Sequence, residues 1–280
     1  MNRPPKTGEI EPSTIRFRTT RDLQSQLHLP TPASIHEVRQ AARSSVVRVR
    51  ALQPVLGHGS FPGLRKSLCN LIDITAESRD AEVQRRVIVR MQAQKAKQGA
   101  RRYGQLLLKL TQRQLEATRD LARYLDSDIG SEHLRQLNED LSALALAQSG
   151  VNVPPLASRR CRHVLRDIEK QLAGKIAASH RVHPLRVKIR RARSLASLSE
   201  GAPGVVPSPL NHKLNKMQEA LGDLRDSMLL RRWIKRRGLT LAPQVKVALE
   251  TMAKRCLKRC KGYRKPLRHA IRQYLRKTRQ

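Results

Sequence analysis

The chain has 280 residues, with 57 Lys and Arg against 22 Asp and Glu, a formal net charge of +35; that imbalance points to a partner dense in negative charge. One Trp, four Tyr and two Phe are too few for the stacking platforms of a typical single-strand binder, and no apolar run is long enough to cross a bilayer. Four cysteines, with no apolar leader in MNRPPKTGEIEPS, fit a reducing, cytoplasmic setting.

Residues 1–31 mix Pro, Thr, Arg and Glu without a period and read as a tail. Pro32 opens a helix expected over about 32–53, ended by Pro54 and Gly57. A turn from Gly57 to Gly63 leads to a helix over about 64–76 with Leu64, Leu68, Leu71 and Ile72 on its apolar side. Arg79-Asp80-Ala81-Glu82-Val83 starts or continues a helix to about 97, and a longer one follows over about 100–126, carrying Leu106, Leu110, Leu121 and Leu125. Ser131 is the expected cap of a helix over about 132–148, striped by Leu134, Leu137, Leu141, Leu144 and Ala145.

Gly150 to Pro155 reads as the boundary between a first helical bundle, 32–150, and a second, 151–280. Charge is uneven across it: residues 1–150 carry 24 basic and 15 acidic side chains, and residues 151–280 carry 33 and 7. The second bundle is expected to begin with a helix over about 156–178. His183-Pro184 opens another over about 184–199, and Gly201 to Pro209 is a loop. Helices over about 210–224 and 226–237 follow, then a long stretch from Pro243 to about 276, kinked or interrupted by Gly262 and Pro266. The expected fold class is all-α: two pseudo-symmetric antiparallel helical bundles arising from an internal duplication.

The duplication is carried by a motif. His36-x-x-Arg39-x-x-x-Arg43 returns 147 positions later as His183-x-x-Arg186-x-x-x-Arg190, and Arg79-Asp80 returns after 146 positions as Arg225-Asp226. On a helix, residues at +3 and +7 lie within about 60° of the first. Each copy therefore builds a ridge of one imidazole and two guanidiniums on a single face. Unpaired charges of this kind are costly in an apolar core, whereas a polyanion satisfies them. Arg50, at +14 from His36, falls on the same face.

These residues resemble the CHAD family, named for a histidine in an α-helical domain. The second half matches it through His183, Arg186, Arg190, Arg191 and Arg193, then Leu221-Gly222-Asp223-Leu224-Arg225-Asp226. The first half matches through His36, Arg39 and Arg43, then Ser78-Arg79-Asp80-Ala81-Glu82-Val83. Ser44 and Val46 stand where the family pattern often carries basic residues, so the first ridge is expected to bind more weakly. The resemblance spans about 32–276 and implies two helical bundles that bind inorganic polyphosphate in a shared basic groove. Arg forks onto two phosphate oxygens, where Lys acts as a point charge. The implied ligand set is His36, Arg39, Arg43, Arg50, Arg79, His183, Arg186, Arg190, Arg191, Arg193 and Arg225. Localisation at polyphosphate granules goes with that reading. Pro32 and Pro184 place each ridge near a helix N-terminus, where free amides favour anions.

Blander readings hold elsewhere. His58 and His133 read as capping or packing residues. Arg79-Asp80 and Arg225-Asp226 admit two readings, as ion pairs orienting helices or as ligand-facing arginines held by carboxylates. The run Arg231, Arg232, Lys235, Arg236 and Arg237 reads as a solvated face. Cys256 and Cys260 share a helix face, but the surrounding Lys254, Arg255, Lys258, Arg259 and Lys261 repel a cation, so no metal is expected; a metal scaffold on His36 and His183 meets the same objection. No Gly-rich phosphate loop, nucleophile triad or acidic magnesium cluster stands out, so neither catalysis nor a cofactor is expected. Nonspecific nucleic-acid binding is the alternative function. Oligomeric state is left open.

Overall fold

The computed structural model describes residues 30–56, 61–93, 100–147, 151–174, 179–202 and 204–278. Among them are nine α-helices and no strand. They are α1 (Pro32–Leu56), α2 (Pro62–Ile74), α3 (Ala76–Ala93), α4 (Ala100–Leu125), α5 (Asp128–Ala147), α6 (Val153–Ala173), α7 (Ser179–Leu198), α8 (Ser208–Arg236) and α9 (Pro243–Lys277). Several starts are built as the sequence suggests. A proline occupies the first turn of α2, α6, α8 and α9, where its missing N–H costs nothing. Thr31 caps α1: Ser34 N–H donates to Thr31 Oγ1 at 3.1 Å, and Thr31 N–H donates to Ser34 Oγ at 2.9 Å. Each side chain thus satisfies an amide of the other, the reciprocal arrangement of a capping box.

Three expected boundaries are corrected. Helix α7 begins at Ser179, so Pro184 lies inside it. Val182, Leu185 and Ile189 are buried on one face, and that burial carries the helix through the proline. Segments 210–224 and 226–237 are one helix, because Leu221, Leu224, Ser227 and Leu230 continue the buried stripe without a breaker. Helix α9 likewise runs uninterrupted past Gly262 and Pro266, with Cys260, Leu267, Ile271 and Tyr274 buried on either side of them.

A fourth correction concerns the α4–α5 corner. Helix α5 starts at Asp128, and Ser127, not Ser131, caps it: Ser127 Oγ accepts from Gly130 N–H at 3.2 Å. A Cβ at Gly130 would stand 1.9 Å from the Tyr124 carbonyl oxygen, so only glycine fits this turn. Ala145 is exposed rather than part of the stripe. Residues 1–29 of the tail and the turn 57–60, with His58, lie outside the described residues, while Thr31, read as tail, caps α1.

The duplication is visible in the elements. α1 corresponds to α7. The pair α2–α3, starting at Pro62, corresponds to α8, starting at Ser208, at the offset of the Arg-Asp repeat. What is two helices in the first half is one in the second, broken at Thr75.

The apolar side chains form three clusters. One joins α1, α2, α5 and the end of α4, through Ile35, Leu52, Leu68, Leu125 and Leu137. A second joins α6, α7, most of α8 and the end of α9, and it takes in Val47 and Ala51 of α1. The third crosses between the halves. It joins Ile88 of α3 and Tyr103 and Leu106 of α4 to Ile234 of α8 and Leu249 of α9, with Val87, Trp233 and Met252 packed against it. Its members pair at the same offset of 146: Val87 with Trp233, Ile88 with Ile234, Tyr103 with Leu249, Leu106 with Met252. Both contacts tie the halves across 150–155, and α1 rests directly on α6 and α7.

Candidate anion-binding site

Helix α1 packs on both α7 and α3, and α3 packs on α8. These four helices carry the two ridges and the two Arg-Asp pairs, and the contacts bring them together. His36 and His183 fall at the fifth residue of α1 and α7 respectively and are exposed. They sit just past the four residues whose amides are free of intrahelical bonds. Arg43, Arg186 and Arg190 are half-buried beside them.

The electrostatics show that the ridges share one neighbourhood. Arg43 is held down to about 9, first by burial and then by Arg39, Arg190, Arg186 and Arg225. Arg190 is held down to about 10, by burial and then Arg186, Arg225 and Arg39. His183 lies below the usual imidazole value through burial, with Arg225, Arg186, Arg190 and Arg43 of the other half adding to it. His36 is lowered by burial, Arg79, Arg86 and Arg43, while Glu82 partly offsets them. Both histidines are therefore mainly neutral at physiological pH and take up protons as the pH falls.

Arg39 behaves differently from its ridge mates. It is 4 % exposed and enters the break between α2 and α3. Its Nη1 donates to the Ile72 carbonyl and, at 2.7 Å, to Thr75 Oγ1. Thr75 Oγ1 in turn donates to the Leu71 carbonyl at 2.6 Å. Arg39 therefore supports the helix break, and its Nε is buried without an acceptor in the protein. The corresponding Arg186 crosses α8 at Gly222, where an added Cβ would sit 3.6 Å from Arg186 Nε. That Nε also has no acceptor.

Arg79 pairs with Glu82, not with the adjacent Asp80, and Arg86 joins the same carboxylate at 2.9 Å. Asp80 instead acts on Arg39 of its own half and, across the halves, on Arg186. Asp226 faces Arg186 and Arg225, but burial is the larger influence and pushes its carboxyl up. Of the two readings of the Arg-Asp pairs, the carboxylates fit the role of internal counterions for the ridge arginines. The halves are not equal: where the first carries Glu82, the second carries Met228.

Arg50 and Arg191 form a separate group. They act on each other and on Arg160, with Arg65 also near Arg50 and Asp167 near Arg191. Arg193 is half-buried on α7, its Nε without an acceptor. His133 bridges three helices, with Tyr124 Oη 3.1 Å from Nδ1 and the Ser67 carbonyl 3.1 Å from Nε2, a packing role. Arg231, Arg232, Lys235, Arg236 and Arg237 are exposed.

No three His, Cys, Asp or Glu side chains converge as a metal site among the described residues. Cys256 and Cys260 are free and buried, and burial pushes the Cys260 thiol up to about 12, which disfavours the thiolate a metal requires.

The family model described as CHAD domain matches residues 18–181 and 159–279, nearly the whole chain and in two copies. The chain belongs to the CHAD family. Two solved structures share the CHAD architecture. The CHAD domain from the plant Ricinus communis has a TM-score of 0.63 at 17% identity, over 93% of this chain and 87% of that one. PptA from Streptomyces chartreusis has a TM-score of 0.60 at 17% identity, over 92% and 99%. A search of curated protein sequences gives no match. Sequence reading of this CHAD chain missed Glu82, Arg86 and the cross-half role of Asp80. Arg79, Glu82 and Arg86 are spaced by three and four, the same period that marks the ridges, and that signal was available.

Proposed function

We propose that this CHAD protein binds inorganic polyphosphate between the two facing His/Arg ridges. The supporting observation is the mutual repulsion of Arg43, Arg186 and Arg190, half-buried together, with Asp80 and Asp226 too few to neutralise them. A chain of phosphates supplies the missing negative charge, and arginines can meet its oxygens with forked contacts. Arg79 and Arg225 flank the ridges, and Arg50, Arg191 and Arg193 extend the basic surface along α1 and α7. The protein acts by binding and not by catalysis, in the cytoplasm and at polyphosphate granules.

The test is competition of labelled long-chain polyphosphate against duplex DNA over a salt series. Arg186→Ala and Arg190→Ala each weaken polyphosphate binding about ten- to hundredfold, the value of a charge-assisted hydrogen bond, with helical content unchanged. Equal losses from Arg236→Ala and Arg237→Ala refute the ridge site in favour of bulk charge.

A further inference from the structure

One strongly charged surface takes no part in the ridge site. Residues 251–280 hold twelve Lys and Arg and no Asp or Glu. Six of the twelve, Lys254, Lys258, Lys261, Lys265, Arg272 and Arg276, are exposed and recur on α9 at spacings of three, four or seven. Exposed His269 fills the one gap of seven. At about 100° per residue the seven fall within an arc of about 80°. The opposite side of α9, with Cys256, Cys260, Leu267, Ile271 and Tyr274, is buried in the second cluster, so the stripe faces outward. From Lys254 to Arg276 it is about 33 Å long at 1.5 Å per residue. Among the described residues none of the four lysines is paired with a carboxylate. Arg272 meets Glu169 at 2.7 Å, sharing it with Arg268.

We infer that this face of α9 is a second anion-binding surface, separate from the His/Arg ridges, and that it takes the sugar–phosphate backbone of duplex nucleic acid. Three features select that occupant. The stripe is convex and continuous, about the length of one turn of B-form duplex, roughly 34–36 Å, so a stiff rod can lie along it. Its residues are mostly lysines, point charges that attract phosphate without the fork geometry that arginine offers. No Phe, Tyr or Trp ring lies on it, since Tyr274 is on the buried side and Tyr263 packs against the core, so unpaired bases have only the single His269 imidazole to stack on. An anionic membrane fits less well. A helix lying in a bilayer surface inserts apolar side chains beside its basic ones. The apolar side of α9 is committed to the core, and its one exposed large hydrophobe, Val247, precedes the stripe. The surface does not depend on the polyphosphate reading.

The experiment measures the affinity of the full chain for a 20-base-pair duplex over a salt series, with polyphosphate measured in parallel. Lys254→Gln, Lys258→Gln, Lys261→Gln and Lys265→Gln are combined in one variant. Each lost phosphate contact removes about 0.9 from the log–log salt slope, so the slope falls by about 3 to 4 and low-salt affinity drops well over tenfold. Polyphosphate affinity stays within about twofold. A comparison variant with the same charge loss, at Arg231, Lys235, Arg236 and Arg237, leaves the slope within about 1 of wild type. Independently of any variant, bound duplex protects Lys254, Lys258, Lys261 and Lys265 from acetylation in the wild-type chain. Equal effects of the two variants, an equal loss of polyphosphate binding, or no acetylation protection overturns the inference. So does stripe-dependent binding to phosphatidylserine vesicles when duplex binding is unaffected.

Discussion

Arg43→Gln is expected to make the ligand-free protein more stable and the ligand-bound protein less so. Arg43 is held down to about 9, well below an ordinary guanidinium, because it is buried among like charges. At about 1.4 kcal/mol per tenfold, that is about 5 kcal/mol held against the charged form. Part of the side chain still meets water, and screening reduces the figure to about 2 kcal/mol. For a chain of this size each kcal/mol moves Tm by about 2–4 °C, so the variant should melt about 4–8 °C higher in a phosphate-free buffer. Polyphosphate reverses the order. At a hundred times its Kd a ligand stabilises by about 2.7 kcal/mol, and the wild type takes that gain, whereas the variant, with weaker binding, takes less. The assay is thermal unfolding by circular dichroism with and without polyphosphate. A lower Tm for Arg43→Gln without ligand would mean that the guanidinium is well compensated, and the argument for an anion between the ridges would fail.

Binding should tighten as the pH falls from about 7 to 5, by up to about tenfold per unit for each proton taken up, because His36 and His183 are depressed below 6.5 and charge up against the anion. Over the same window those histidines cost the ligand-free fold stability: a base with a lowered folded pKa contributes fully above its unfolded value and loses that contribution as pH falls. Asp226, pushed up by burial, opposes them in stability yet favours binding, since once protonated it no longer competes for Arg186; isothermal titration at three pH values checks the binding trend, and a flat profile contradicts it. Glu82→Gln frees Arg79 and Arg86 from their shared carboxylate and is expected to tighten polyphosphate binding about three- to tenfold, the net value of one ordinary hydrogen bond; weaker binding would instead show that Glu82 orients Arg79. Thr75→Ala removes the buried acceptor of Arg39 and should cost about 1–3 kcal/mol in urea unfolding at an unchanged slope, and a change under about 0.5 kcal/mol would mean the helix break does not depend on it.

The ridges and the duplication were legible because they depend on helical period alone, which the sequence displays directly. The depth of each ridge residue was not. Arg39 and Arg43 share a face in any helix, but only the break at Thr75 draws Arg39 inward, and that break is a tertiary event. The matching segment at Leu221 stays helical with Gly222 beneath Arg186. Prolines misled for a related reason. Pro184 and Pro266 read as a start and an interruption, yet Leu185, Ile189, Leu267 and Ile271 bury enough surface to hold the helices through them. Charge partners were legible only within a helix, as at Arg79 and Glu82; that Asp80 serves Arg186 required knowing that α3 meets α8 and that Arg186 of α7 lies over α8 at Gly222.

The third apolar cluster has an ancestry written into it. Val87 and Trp233, Ile88 and Ile234, Tyr103 and Leu249, and Leu106 and Met252 are equivalent positions of the two copies gathered into one core, as equivalent residues are at the self-complementary seam of an isologous homodimer. One copy of the repeat, made alone, would expose this surface and associate with itself. Fusing the two copies makes that association independent of concentration and releases each copy from having to be identical to the other. Glu82 in one half and Met228 in the other are the kind of divergence that a true homodimer could never fix.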